Sequence, residues 1–364
     1  MIKFPEFYSP HETVITQTDQ ITPEWLNQIL EKQYFLKENK VRNVSVDYIG
    51  STNAHIARLC VNYETDSKEL PKNLLLKMCK SENDFIKDSE VNYYARDYKD
   101  LPNAPIPQCY DAQFSAHTNA YHILMEDLSE THHKDAEPTV EYGESVADAL
   151  ALLHSHGWGD KIESLGGHML NQETIEQYVN HARPGLKPML EVFGGVLDDE
   201  AKEVIQAVFD HYSEKFAQRA QNRQGFAVVH GDTNPGNILF PNDPKGKTYL
   251  LDRQPFNWSL TTSLAVSDLS YMMVPFWETE QRRALEMPTL KRYHDQLQKH
   301  GIADYSWDQL LDDYKLTAMQ GIFIAVAWCI GDDERKNMEW LWKAELKRAL
   351  YAYTDLESEK VLAD

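Results

Sequence analysis

Val228-Val229-His230-Gly231-Asp232-Thr233-Asn234-Pro235-Gly236-Asn237-Ile238-Leu239-Phe240 reads as an apolar strand, a His-Gly-Asp turn, a four-residue loop, an asparagine and a second apolar strand. Twelve residues beyond Asn237 begins Tyr249-Leu250-Leu251, a short apolar run that leads straight into Asp252. Three oxygen-bearing side chains, Asp232, Asn237 and Asp252, are thereby expected at the ends of neighbouring short strands. Hard oxygen ligands of this kind suit Mg²⁺, which keeps several waters and bridges phosphate groups. Each residue also has a plain structural alternative. Asn-Pro-Gly-Asn is a good turn sequence, and an aspartate at a strand end commonly caps the next turn.

Working outward, the chain before this segment is strand-rich. Val41–Ile49, Ala54–Tyr63 and Asn73–Cys79 are strand-like. In the middle one, Ala57, Leu59, Val61 and Tyr63 alternate with Ile56, Arg58, Cys60 and Asn62, the pattern of a half-buried strand. Ahead of them, Thr22 is placed to cap a helix whose first residue is Pro23. Asp84 to Tyr98 reads as a helix, Leu101 to Pro107 is irregular because of its prolines, and Tyr121–Met125 is a further strand ended by Glu126-Asp127. The texture then changes. Thr139 to His156 has Tyr142, Val146, Leu150 and Leu153 at helical spacing, three short strands are expected between about 226 and 252, and the chain from about 262 reads as helical with breaks near Pro275, Gly301 and Gly331. The expected organisation is α+β with two lobes: residues 1–127 β-rich, residues 128–364 helical, and a hinge near Met125–Ser129.

The 364 residues are enough for two lobes, and 42% hydrophobic with 26% charged content rules out wholesale disorder. Asp plus Glu number 57 against 36 Lys plus Arg, a balance of −21. That excess disfavours nucleic-acid backbones and anionic membrane surfaces, both of which select concentrated Lys and Arg. A phosphorylated ligand would need a local cation or a divalent metal. Cys60, Cys79, Cys109 and Cys329 show no CxxC spacing, which points away from zinc and from a disulfide framework. Met1 to Pro10 has no basic region followed by an apolar run, and the longest apolar run, Ile322 to Ile330, is too short to span a bilayer. A cytoplasmic protein is the expectation.

His230-Gly231-Asp232…Asn237 followed by Leu251-Asp252 resembles the aminoglycoside phosphotransferase/choline kinase superfamily, and Asp252-Arg253-Gln254 resembles its ecdysteroid-kinase-like branch. Further stretches resemble it in the same order over roughly residues 45–275. Leu74-Leu75-Leu76-Lys77 resembles the strand whose lysine contacts ATP phosphates. Glu90 in Ser89-Glu90-Val91-Asn92-Tyr93-Tyr94 resembles the helix glutamate that pairs with that lysine, and Met125-Glu126-Asp127-Leu128 resembles the adenine-binding hinge. Ala149 to His154 and Ser267-Asp268-Leu269 resemble the helix end before the catalytic loop and the Asp-Leu after the metal-binding loop. What the resemblance implies is a bilobal protein-kinase-like fold with ATP in the cleft and a small hydroxylated metabolite as acceptor: an aminoglycoside, an amino alcohol or a specialised metabolite. It implies Asp232 as the catalytic residue, and Asn237 and Asp252 as Mg²⁺ ligands. Lys77, Glu90, Ser51, Glu126 and Leu128 become the ATP-binding set, with His230 and Asp268 as structural supports. In phosphoryl transfer of this type one aspartate receives the hydroxyl proton while an asparagine and a second aspartate hold the metal.

Two departures stand out. Gly50-Ser51-Thr52-Asn53-Ala54 has one glycine where protein kinases have three, and Arg253 follows Asp252 where an aromatic residue is usual. Arg253 is expected either to reach a phosphate or acidic substrate, or to form a surface salt bridge. Alternatives to a small-molecule kinase are a protein kinase, disfavoured by the missing His-Arg-Asp and Ala-Pro-Glu signatures, and a nucleotide-binding scaffold that has lost activity. A metal-dependent hydrolase needs more histidines than this constellation has. A lysine within Leu74–Met78 is costly unless paired or poised for an anion, whereas Lys80 reads as a surface residue. His132-His133 is expected to be solvated, Trp328, Trp340 and Trp342 to be core, and Cys79 to be buried and inert.

Overall fold

The computed structural model describes residues 14–32, 36, 39–50, 54–81, 86–254 and 260–363. The chain divides into two compact units, Met1–His133 with Leu239–Ser259, and Lys134–Ile238 with Leu260–Asp364. The first unit thus includes a segment, Leu239–Ser259, that lies within the lobe expected at 128–364.

The first unit is built on a five-stranded antiparallel sheet in the order β1-β2-β3-β5-β4. Its strands are β1 (Val41–Tyr48), β2 (His55–Tyr63), β3 (Asn73–Lys80), β4 (Cys109–Ser115) and β5 (Ala120–Glu126). The alternation read in β2 is realised: Ala57, Leu59, Val61 and Tyr63 are buried and join Leu74, Leu76 and Leu124 in the core. Helix α1 (Pro23–Lys32) contributes Leu26, Ile29 and Leu30 to the unit's core. Its start is fixed as expected, by Thr22 Oγ1 accepting a hydrogen bond from Trp25 N at 3.2 Å. Each fully buried leucine of this set is worth roughly 1.5–3 kcal/mol of transfer free energy.

Of the helix expected over Asp84 to Tyr98, residues 84 and 85 lie outside the described residues, and the described helix starts at Ser89. It runs as α2 (Ser89–Asn92) and continues as a π-helical turn over Tyr93–Asp97. Short strands at His132–His133, Ile238–Pro241 and Tyr249–Leu250 form a small sheet. His132 and His133 are therefore strand residues rather than loop residues; His133 is exposed, as expected, and His132 is half-buried. Their rings bond Lys247 O at 2.9 Å and Asn242 Oδ1 at 2.8 Å.

The second unit is helical: α3 (Val140–His156), α4 (Gln172–Ala182), α5 (Leu186–Phe193), α6 (Asp199–Arg219), α7 (Ser267–Met273), α8 (Thr279–Lys299), α9 (Trp307–Ala318), α10 (Gln320–Ala327), α11 (Asp332–Asn337), α12 (Glu339–Asp355) and α13 (Ser358–Ala363). Thr139 Oγ1 caps α3 by accepting from Tyr142 N at 3.1 Å. Gly143 lets α3 lie against α8, since a Cβ there would meet Thr289 Oγ1 at 2.3 Å. An antiparallel pair, Phe226–Val228 with Thr262–Leu264, delivers the chain to His230 and to α7. Of the three tryptophans expected in the core, Trp342 is fully buried, while Trp340 is 71% exposed. Among the described residues no helix is long and apolar enough to cross a membrane.

Candidate active site

In the first unit, Lys77 sits on β3 between Leu76 and Met78, with Ile56 and Ile123 as its strand partners. The apolar surroundings make an unpaired ammonium costly there, and the chain supplies two carboxylates. Lys77 Nζ donates to Glu90 Oε1 at 2.7 Å and to Asp252 Oδ1 at 3.0 Å. Burial lowers the lysine's pKa, but the two negative charges outweigh it and hold the ammonium above the usual lysine range. Glu90 is itself fully buried, and burial pushes its carboxyl up to about 7, against the opposing pull of Lys77. Tyr121 OH donates to the other oxygen of Glu90 at 2.5 Å. Lys80, three residues further on, is exposed.

Asp252 has φ +60°, in the left-handed region that few non-glycine residues occupy. Its side chain is 32% exposed, so one carboxylate oxygen holds Lys77 while the group as a whole still reaches solvent. The backbone around it is tied to the α2 segment. Tyr93 OH donates to Leu250 O at 3.0 Å, and Asp252 N donates to Tyr94 OH at 3.3 Å. Arg253 is neither on the surface nor poised for substrate, correcting both expectations. It is 3% exposed, and its Nη1 donates to Asp97 Oδ2 at 2.5 Å. Cys79 is buried and burial pushes its thiol up, in keeping with an inert cysteine.

In the second unit the His-Gly-Asp turn hangs on one buried carboxylate. Asp268 Oδ2 accepts from His230 N at 2.7 Å and bonds His154 Nε2 at 2.9 Å, and Oδ1 accepts from Gly231 N at 2.8 Å. Burial raises the Asp268 pKa, but the histidines and the Gly231 amide outweigh it and hold the carboxyl below its ordinary range. His154 is oriented in turn by Tyr293 OH at 2.7 Å. Gly231 takes φ +81°, which a residue with a Cβ would hold only under strain. His230 Nδ1 accepts from Asp232 N at 3.3 Å, so this histidine braces the turn from the side. Thr233 Oγ1 donates to Asp268 O at 2.5 Å.

The Asp232 side chain is fixed from two directions. Asn234 Nδ2 donates to its Oδ1 at 2.7 Å, and the Tyr271 hydroxyl, kept protonated first by burial and then by the Asp232 charge, hydrogen-bonds it as well. Asn237 Nδ2 donates to Asp232 O at 2.9 Å, which commits its nitrogen and makes the amide oxygen the group it could offer a cation. An amide oxygen and a carboxylate are the hard donors that Mg²⁺ takes, so Asn237 and Asp252 fit such a metal chemically.

Lys77, Glu90 and Asp252 come together in the first unit, and His230, Asp232, Asn237 and Asp268 in the second. Glu126 ends β5 with its N donating to Gln108 O at 2.9 Å. Leu128 is buried, and its carbonyl accepts from Thr131 N and His132 N, each at 3.0 Å. Ser51 lies outside the described residues. Sequence reasoning passed over Tyr94, Tyr121 and Tyr271, each of which carries a hydroxyl to a site residue. Tyr94 was legible as the i+4 neighbour of Glu90, and Tyr271 as the i+3 neighbour of Asp268 on α7. Nothing in the sequence marks Tyr121.

A β-rich N-terminal region carrying a lysine–glutamate pair and a helical C-terminal region carrying the His-Gly-Asp loop place this chain in the α+β class with a kinase-like fold. Within it the chain belongs to the ecdysteroid kinase-like family, which it matches over residues 54–302, more than half its length. Solved structures share the fold at low identity. A spectinomycin phosphotransferase in complex with ADP and spectinomycin is 13% identical with a TM-score of 0.52, the match covering 93% of this chain and 99% of that one. A choline kinase from Cryptosporidium parvum is 13% identical with a TM-score of 0.53, covering 93% and 97%. An ethanolamine kinase from Plasmodium vivax is 12% identical with a TM-score of 0.52, covering 86% and 81%. No curated protein sequence matches the chain.

Proposed function

We propose that this protein is an ATP-dependent phosphotransferase that moves a γ-phosphoryl group onto a hydroxyl of a small molecule. The observation that carries the proposal is the triad in which one largely enclosed lysine, Lys77, is shared by Glu90 at 2.7 Å and Asp252 at 3.0 Å. A cation held this way keeps its charge inside an apolar sheet and is ready for an anionic partner. In a chain of net charge −21 it is the counter-charge that a nucleotide needs. Lys77 would contact the α- and β-phosphates, steadied by Glu90, with backbone groups of Glu126 and Leu128 meeting the adenine and Ser51 in the phosphate loop. The Asn237 amide oxygen and the Asp252 carboxylate would hold Mg²⁺, which when bound neutralises charge on the transferring phosphoryl group. Asp232, steered by Asn234 and Tyr271, would orient the acceptor hydroxyl and take its proton. His230 and Asp268 would keep the loop in place without touching substrate. Catalysis of this kind is mostly positioning plus charge stabilisation.

An aminoglycoside, an amino alcohol or another hydroxylated metabolite is the proposed acceptor class, since solved structures that share the fold carry such names. The acid-rich chain favours an acceptor bearing a cation, with attraction that weakens in salt. The proposed setting is the cytoplasm. ATP consumption measured across a panel of hydroxylated small molecules, with Asp232→Ala as control, tests the assignment. Turnover by the wild type that disappears in the variant supports it. Nucleotide binding without turnover on any acceptor would instead favour a nucleotide-binding scaffold.

A further inference from the structure

Arg253 occupies the position after the proposed metal ligand, where the superfamily usually has an aromatic side chain, and the structure gives it a partner that the sequence reading did not consider. Arg253 and Asp97 are buried together, with side-chain exposures of 4% and 2%. The second Asp97 oxygen is also used, accepting from Arg96 Nε at 2.8 Å, so the carboxylate is engaged at both ends. The guanidinium lies 6.0 Å from the centre of the Tyr93 ring, which closes the apolar side of the pair.

The pair is one of several ties between the helical segment at residues 89–97 and the chain at 250–253. Tyr93 OH holds Leu250 O, Tyr94 OH holds Asp252 N, Glu90 shares Lys77 with the Asp252 carboxylate, and Asp97 holds Arg253. They bracket Asp252 from the residue two before it to the residue after it. Asp252 needs such bracketing, because its backbone is in the left-handed region that a non-glycine residue leaves when unconstrained. A buried ion pair is a poor way to gain stability, since apolar residues of similar volume often do as well or better. What it adds is direction: a guanidinium and a carboxylate fix each other's orientation, while an aromatic ring in an apolar pocket fixes only shape.

We propose that the buried Arg253–Asp97 pair is a positioning latch that holds Asp252 in its metal-binding conformation and couples it to the helical segment carrying Glu90. This rests on the assignment of Asp252 as a Mg²⁺ ligand under the proposed function. Asp97 and Arg253 then act through Asp252 and touch neither nucleotide nor metal. Displacing the α2 segment displaces the metal ligand with it, so the Lys77–Glu90 pair and the Mg²⁺ site form and fail together.

The test is calorimetric binding of ADP with and without Mg²⁺ to the whole chain, alongside amide hydrogen exchange of residues 250–253. The double variant Asp97→Leu with Arg253→Met removes the pair without stranding a buried charge. Partners of this kind, one step removed from a metal, affect metal affinity by about 10–100-fold. The double variant is therefore expected to lose at least about tenfold of the Mg²⁺-dependent gain in ADP affinity. Its metal-free ADP affinity should fall much less, and its 250–253 amides should exchange faster. A folded double variant with the wild-type Mg²⁺ gain and wild-type exchange overturns the latch. Arg253→Lys keeps the buried charge paired and serves if the double variant does not fold. It should lose several-fold of the Mg²⁺ gain, and an unchanged gain overturns the latch equally. A wild type that shows no Mg²⁺ gain at all removes the metal assignment of Asp252 and the latch along with it, whereas a wild type with the gain and variants that retain it removes the latch alone.

Discussion

The two halves of the set of candidate residues, one in each unit, are held by opposite means. Around Lys77 the first unit positions charge with charge: an ammonium between two carboxylates, a guanidinium on a third, and tyrosine hydroxyls on what remains. Around Asp232 the second unit holds the backbone of a turn and leaves its carboxylate to neutral side chains: His230 N and Gly231 N on Asp268, Asn237 Nδ2 on the Asp232 carbonyl, and Asn234 and Tyr271 on the carboxylate. Charge networks transmit the loss of one member to the others, because an unpaired buried ion is expensive. A backbone cradle fails locally or takes the fold with it. The first half is therefore where pH should tune activity, and the second is where mutation should divide sharply between chemistry and stability.

The largest effect is expected at Asp232. Removing a group that takes the hydroxyl proton lowers rate by about 10²–10⁴-fold. Asp232→Ala should lose that much turnover while ADP affinity and melting temperature change little, and a large fall in melting temperature would contradict the division drawn above. Next comes Asp268→Ala, which strands His154 and two backbone amides in the interior. Each buried group left without a partner costs about 1–3 kcal/mol, so a loss of roughly 3–5 kcal/mol in denaturant unfolding is expected. The Asp268 carboxyl is held below its ordinary range in the folded state. The stability it contributes is thus present above the unfolded carboxylate pKa of about 4 and is lost as pH falls through the lower folded value.

A smaller and more diagnostic effect belongs to Glu90. Its carboxyl is raised to about 7, so its linkage has the opposite sign. The associated stability is present below the unfolded value of about 4 and is lost as pH rises through about 7. For activity, the ionised form is the one that steadies Lys77, and the kcat/KM profile should carry an acidic limb near 7. Glu90→Gln should abolish that limb and lower the plateau. The apparent value belongs to the coupled pair rather than to Glu90 alone. The smallest effect is expected from Tyr121→Phe. Its hydroxyl stabilises the charged carboxylate, so its loss should move the limb upward in pH with little change in the plateau. A limb that stays put would show that Tyr121 only packs.

Much of this was legible in the sequence, and the remainder has identifiable physical causes. The alternation in β2 and the lysine inside Leu74–Met78 are local signals, and both were realised in a sheet that places Lys77 centrally. β4 left no such signal. Asp111 and Gln113 stand inside it and are buried, with Asp111 bonded to His122 Nε2 at 2.9 Å and to Gln113 Nε2 at 3.0 Å. Polar residues with distant partners do not announce a strand. Arg253 was misread for the same reason, since its partner Asp97 lies 156 residues away and only tertiary structure joins them. The π-helical turn at Tyr93–Asp97 shifts side chains off the ordinary helical stripe, which hid the reach of Tyr93 to Leu250. The His-Gly-Asp loop was the most legible part, because its geometry is set by residues close in sequence together with one aspartate on α7.

The central claim is that Lys77, shared between Glu90 and Asp252, makes the first unit a nucleotide site whose affinity depends on Mg²⁺. Titrating ATP into wild type, Lys77→Met and Asp252→Asn, each with and without Mg²⁺, tests it most directly. Wild-type binding tightened by Mg²⁺, weak binding by Lys77→Met under both conditions, and metal-insensitive binding by Asp252→Asn are the predicted results. Equal ATP affinity in all three proteins, unchanged by Mg²⁺, would contradict the account.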